Sequence, residues 1–290
     1  MPVKQEFETV IYEPVEEGVV KVTMNRPEKR NAQNHKMTYD LNRAFDLAAA
    51  DDDVKVVILA GAGPHFNSGH DQINRGEAED IETVGTWHGY NLPGMEGLVS
   101  RNKEVYFDIM WRWRNIPKVL IGQAHGKTIG GGMMLLWICD IIIASEDALF
   151  ADPVVNIGCN GVEYFAHPWE LGPRKAKEFL FTGDFFSAAE LEKTGMINRV
   201  VPRDQLEAET LRMARRIAEK PSWGLKLAKE AVNGMLDTQG QYPALRAAFS
   251  LCSLGHAQLM ATRGLASRGE GKERLFTKVM EPAKTDGAGV

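Results

Sequence analysis

Thr9 to Asn25 reads as two strands around a polar turn, Glu16-Glu17-Gly18, where Gly18 can take the positive φ that a tight reversal uses. The period then changes. From His35 to Ala50, Met37, Leu41, Phe45, Leu47 and Ala48 fall on one face at helical spacing. Val54 to Leu59 contains Val56, Val57, Ile58 and Leu59 without alternation, the pattern of a strand covered on both faces. Further strands are predicted at Val119 to Ala124 and Ile141 to Ala144, with helical sequence between them. Strand and helix in repeated alternation predict an α/β core. From Ser187 the pattern is helical. Leu206 to Glu219 places Leu211, Ala214 and Ile217 on one side, Pro221 and Gly224 punctuate the chain, and helices follow at Leu225 to Met235 and Tyr242 to Arg263. Ala283 to Val290 is small, polar and glycine-containing, and is expected to be a disordered tail.

At 290 residues the chain can build one large core, or one core with an appendage. Its net charge of −5 is modest and the charges are mixed along the sequence. It lacks the dense basic stripe of a nucleic-acid binder. Cys139, Cys159 and Cys252 show no metal or redox spacing, so no metal is expected and packing is the simpler role for each. Such usage fits a reducing cytoplasm. The first residues carry no apolar signal core. The most apolar stretch, Met133 to Ala144, is interrupted by Asp140 and is too short for a bilayer of about 30 Å. A cytoplasmic protein without a membrane span is the expectation.

The chemistry-bearing signal is a pair of glycine turns. One is Phe66-Asn67-Ser68-Gly69-His70-Asp71, and the other runs from Ala124 through Gly130-Gly131-Gly132 to Met134. Each follows a strand-like run, and each is followed by sequence able to open a helix. Glycine permits a sharp bend and a close approach, and a helix start leaves N–H groups without intrahelical partners. Two such N–H groups converging on one carbonyl oxygen would hold the negative charge it gains in reaction. The pair points to chemistry on a carbonyl compound.

These turns resemble those of the crotonase (enoyl-CoA hydratase/isomerase) superfamily, and the resemblance extends over most of the chain. It begins at Asn25-Arg26-Pro27 and Asn31-Ala32, and continues through Cys139-Asp140, Phe150-Ala151-Asp152-Pro153, Thr182-Gly183-Asp184 and Gly195 to Pro202. The resemblance implies a spiral of β-β-α turns over residues 1–203. It further implies a C-terminal helical region, 204–290, that makes trimer contacts. The expected assembly is a homotrimer or a dimer of trimers. The implied substrate is a coenzyme A thioester, with no permanently bound cofactor. By family register, the backbone N–H groups of His70 and Gly131 form the oxyanion hole. The expected substrate contacts are Ser68, Gly69, His70, Asp71, Gln72, Ile73, Gly130 and Gly131, with Arg26 toward the coenzyme A phosphates.

The family's two catalytic glutamates map to Met134 and Val154, and neither can transfer a proton. Glu163, in the segment where superfamily members vary their acid–base residue, is the leading substitute. Its neighbours Val162, Tyr164 and Phe165 would raise its pKa. Asp152 is a weaker candidate that could equally cap a helix. The His70 side chain could hold or donate a proton, or only pack against its loop. Tyr164, His167 and Glu170 rank lower, and a cap or buried hydrogen-bonded pair is the plain reading of each. Between Ile73 and Trp113, Trp87, Tyr90, Tyr106, Phe107, Trp111 and Trp113 either anchor a long segment or line an acyl pocket. The functional expectation is an acyl-CoA-processing enzyme that stabilises a thioester enolate. The alternatives are a non-catalytic acyl-CoA-binding protein, and a decarboxylase or C–C bond hydrolase on the same scaffold.

Overall fold

The computed structural model describes residues 2–71 and 83–263. Gln72, Ile73 and the Ala283 to Val290 tail lie outside the described residues. A short strand β1 (Gln5–Glu6) leads into the hairpin β2 (Val10–Glu16) and β3 (Val19–Met24), followed by helix α1 (His35–Ala50) and β4 (Val56–Gly61). Helices α2 (Gly94–Asn102) and α3 (Ile109–Arg114) are joined by a π-helical stretch, Lys103–Asp108. Then come β5 (Val119–Ala124), β6 (Lys127–Ile129), α4 (Gly131–Trp137), β7 (Ile141–Ser145) and β8 (Leu149–Ala151). After a 3-10 turn, Pro153–Ile157, the chain forms α5 (His167–Thr182), β9 (Phe186–Ser187), α6 (Ala188–Glu192) and β10 (Arg199–Val201). Helices α7 (Leu206–Ala218), α8 (Ser222–Thr238) and α9 (Gln241–Arg263) complete the described chain.

Among the described residues the larger sheet has the order β1-β2-β3-β4-β5-β7-β10, antiparallel through the hairpin and parallel from β3 onward. Its central register aligns Val19, Val56 and Val119. Val19, Val56, Ile58, Val119 and Ile121 pack with Leu206 and Ala214 of α7 on one face. Val20, Val57, Leu59 and Leu120 join α1 and α4 on the other. Burial on both faces explains why β4 is apolar without alternation. Gly122 of β5 has no room for a side chain: a Cβ there would come within 2.8 Å of Leu136 in α4.

The smaller sheet, β6-β8-β9, is reached by turning a corner. At Gly126 (φ +55°) the chain leaves β5 for β6 so close to another segment that a Cβ would lie 2.1 Å from the Pro64 carbonyl oxygen. β5–β6–α4 and β7–β8–α5 are therefore two strand–strand–helix turns, each crossing from one sheet to the other. In the C-terminal region, α7 is an amphipathic cover of the sheet, whereas α8 buries none of its residues. Trp223, Leu227, Val232 and Met235 of α8 and Leu251 and Leu254 of α9 are exposed. Pro221 immediately precedes α8, and Gly224 lies inside its first turn without ending it. No described helix is long and apolar enough to cross a membrane.

Candidate active site

Both glycine turns are fixed by Asn67, which is fully buried. Its Oδ1 accepts from the Gly69 N–H (2.8 Å), and its Nδ2 donates to the Asn31 carbonyl (2.5 Å). Its own carbonyl accepts from the Ile129 N–H of the second turn (3.0 Å). Gly69 has φ +90°, and a Cβ there would lie 2.8 Å from the Ile129 oxygen and 3.4 Å from the Gly131 nitrogen. The turns touch where only glycine fits.

The N–H groups follow from this geometry. The Gln33 N–H donates to the Gly69 carbonyl (2.8 Å), and the Asp71 N–H donates to the Gln33 carbonyl (2.6 Å). In a trans peptide C=O and N–H point oppositely, so the His70 N–H is directed away from Gln33. The Gly130 N–H is spent on the Ala151 carbonyl (2.8 Å). Gly131 is the first residue of α4, where a helix supplies no acceptor for the N–H.

The His70 ring stacks on Tyr106, with ring centroids 3.7 Å apart and planes 19° from parallel. It lies so close to Gly131 that a Cβ there would be 2.5 Å from its Nε2 and Cδ2. His70 Nε2 is 3.8 Å from Oε2 of Glu163. Glu163 is buried, and its Oε1 accepts from Asn102 Nδ2 (3.2 Å). A cavity of about 60 Å³ gathers Ser68, His70, Gly131, Val154 and Glu163, and its wall also includes Cys252 and His256 from α9. Met134 is fully buried, and its Sδ accepts from the Tyr164 N–H at 3.3 Å.

Asp152 sits behind this arrangement with 0% exposure. Its Oδ1 accepts from the Val154 N–H (3.2 Å), capping the 3-10 turn. Its Oδ2 accepts from the Val162 N–H (3.0 Å) and His167 Nε2 (2.9 Å). Arg26 is committed elsewhere: Nη2 pairs with Asp71 (3.0 Å) and Nη1 donates to the Ala32 carbonyl (2.5 Å), with its side chain 11% exposed. Glu170 is half-buried away from the cavity wall. Burial pushes its carboxyl up to about 7, against the opposing charge of Arg114. Burial also raises the Tyr164 phenol.

Of the aromatics between Ile73 and Trp113, Phe107 packs among Tyr164, Tyr242 and Phe249, and Trp111 packs on Tyr242. Those two anchor the helical segment, while Tyr106 reaches the site. The sequence left Asn102 and His256 unmarked, and it marked Cys252 only as a packing residue. The spacing of Asn102 to Tyr106, and of Cys252 to His256, is one helical turn and was the available signal.

Two abutting glycine turns on a strand–strand–helix spiral, with a buried His–Glu contact beside them, define a protein of the crotonase fold. The chain belongs to the enoyl-CoA hydratase/isomerase family, whose model matches residues 14–253. It is 45% identical over 264 residues to the Mycobacterium tuberculosis protein named "Putative enoyl-CoA hydratase EchA13", covering 87% of this chain and 82% of that one. Two crystal structures are similar. One is of a probable enoyl-CoA hydratase from Mycobacterium smegmatis (43% identity, TM-score 0.80, 89% of this chain and 98% of that chain). The other is of an enoyl-CoA hydratase/isomerase from Xanthobacter autotrophicus Py2 (31%, TM-score 0.79, 95% and 98%). Members of this family act on coenzyme A thioesters without a permanent cofactor.

Proposed function

We propose that the protein is an acyl-CoA-processing enzyme that holds a thioester enolate between the backbone N–H groups of His70 and Gly131. Glu163 and the His70 imidazole carry the proton. The observation behind this reading is that the cavity joining the two turns also contains Glu163, 3.8 Å from His70 Nε2. A thioester α-proton becomes acidic only when the enolate oxygen is stabilised, so the hole supplies much of the rate enhancement. The carboxylate would take the α-proton, and returning it at another carbon completes an isomerisation. Asp152 positions the wall through its three hydrogen bonds, and the loop residues Ser68, Gly69 and Gly130 cradle the acyl end. Arg26 acts toward coenzyme A through Asp71 and the first turn, since its guanidinium is already paired.

The apolar side chains at Met134 and Val154 favour a proton shift, a decarboxylation or a C–C cleavage over hydration. They also support a second reading, a non-catalytic acyl-CoA-binding protein. The exposed apolar residues of α8 and α9 fit a homotrimer or a dimer of trimers, and Cys139, Cys159 and Cys252, none of them in a disulfide, fit a reducing cytoplasm. The test is a panel of thioesters. Crotonyl-CoA should be hydrated far more slowly than by a two-glutamate hydratase, while isomerisable or decarboxylatable thioesters turn over. Rapid hydration would contradict this assignment, and tight binding with no turnover on any thioester would favour the binding protein.

A further inference from the structure

The wall of the cavity formed by α9 contains a set of side chains that the acyl-CoA reading does not use. Cys252 and His256 are one helical turn apart on α9, and Cys159 approaches them from the segment that follows the 3-10 turn. The two sulfurs and one nitrogen of the His256 ring all lie within 4.8 Å of one another. Neither cysteine is in a disulfide and both are buried, at 4% and 1% exposure, under an apolar cover that includes Leu259 and Val154.

We propose that Cys159, Cys252 and His256 form a binding site for a soft divalent cation of the zinc type. The ligand set is two thiolates and an imidazole, which zinc prefers over oxygen donors. Two thiolates against one divalent ion leave no net charge, which makes the site tolerable in a buried place. Around a tetrahedral zinc, with Zn–S about 2.3 Å and Zn–N about 2.0 Å, ligand atoms stand roughly 3.5–3.8 Å apart. The ligand atoms already lie within 4.8 Å of one another, so closure to that spacing asks for about 1 Å of side-chain movement.

The surroundings add three features. His256 Nδ1 donates to the Cys252 carbonyl at 3.0 Å, the outer hydrogen bond that ligating histidines usually make, and this leaves the lone pair on Nε2. Cys252 and His256 line the same cavity as Glu163, so the fourth position of the ion would open toward that carboxylate and the two glycine turns. The Cys252 thiol points at the Gly161 carbonyl, 3.5 Å away, a weak bond that deprotonation by an ion would release. A bound ion would tie α9 to the Glu163 segment and stiffen that side of the pocket.

The inference stands apart from the acyl-CoA reading. A protein that takes up zinc here but turns over no thioester keeps this site and loses only the enzyme assignment. The test titrates the purified full-length protein, thiols kept reduced, with Zn2+ against a chromophoric zinc chelator, and repeats it with Co2+ in an absorption spectrum. The expected result is one equivalent per chain, a raised melting temperature, and a thiolate-to-cobalt charge-transfer band. Cys252→Ser should weaken binding by more than the roughly 10–100-fold that losing an outer-shell partner costs. Less than one equivalent in the reduced protein, or a cobalt spectrum without thiolate character, would overturn the site even if the variant failed to fold. Unchanged affinity in a folded Cys159→Ser/Cys252→Ser double variant would do the same.

Discussion

The Asp152 carboxylate, one residue past β8, ties the 3-10 turn to the segment that carries Glu163. With no exposed surface it accepts from the Val154 N–H, the Val162 N–H and His167 Nε2, so both its oxygens are occupied. Removing a buried acceptor costs about 1–3 kcal/mol per stranded donor, more where one is charged. Asp152→Ala should therefore destabilise the protein by several kcal/mol, measured as a fall in the denaturant midpoint. Asp152→Asn keeps one acceptor oxygen and should recover part of that loss. If Asp152 only positions the wall, folded Asp152→Asn keeps most of its turnover. A loss of turnover as large as Glu163→Gln produces, in a protein of normal stability, would make Asp152 part of the proton path.

The start of α4 carries the oxyanion argument at the scale of elements. Gly131 joins two properties: an N–H that the helix leaves without an acceptor, which any residue but proline would supply, and a Cα that abuts the His70 ring, which only glycine allows. Two substitutions separate them. Gly131→Ala adds a Cβ that must displace the ring, 2.5 Å away, but keeps the N–H. Gly131→Pro adds similar bulk and removes the N–H, at a helix position where proline is otherwise tolerated. Pro should lose roughly 3–4 kcal/mol of transition-state stabilisation beyond whatever Ala loses, the scale for one oxyanion donor. Equal kcat/KM for the two folded variants would mean that the N–H takes no part.

The hairpin around Gly18, α1 and the apolar run of β4 were legible because each has a period of its own. The π-helical bridge between α2 and α3 was not, since its aromatics have reasons to be buried that come from α9 and the 164 loop. The glycine turns were legible from composition. Their closure by Asn67 and the Cys159–Cys252–His256 cluster were not, because both join residues far apart along the chain.

For the whole molecule, the corner between the two sheets carries a pH dependence. His125 is 5% exposed, and its Nε2 donates to the Gly63 carbonyl at 2.9 Å. Burial, aided by Arg203, lowers its pKa to about 4 despite that bond, from an ordinary value of 6.5. The unfolded chain thus binds a proton before the folded one does. The contribution of His125 is complete above pH 6.5 and is lost as pH falls toward 4, by up to about 3 kcal/mol. Glu170, raised to about 7 by burial, works in the opposite direction: it favours the folded state at low pH and loses that contribution as pH rises through 7. Comparing urea unfolding of wild type with His125→Gln across this range cancels the Glu170 effect. The gap between the curves should narrow as pH falls from 6.5 to 4, and a constant gap would show that His125 is not held neutral by the fold.

Hydrogen exchange at a substrate carbon decides whether the His70 and Gly131 N–H groups hold an enolate while Glu163 moves its proton. A saturated acyl-CoA incubated with the protein in deuterated water exchanges its α-proton only if both an enolate site and a base are present, whatever the natural product is. Wild type should catalyse this exchange. Glu163→Gln, which keeps the shape but cannot titrate, should slow it by about 10²–10⁴ while leaving acyl-CoA affinity nearly unchanged. Exchange that survives Glu163→Gln and disappears in His70→Ala would move the base to the imidazole. No exchange by wild-type protein that binds acyl-CoA tightly would rule out the enolate mechanism.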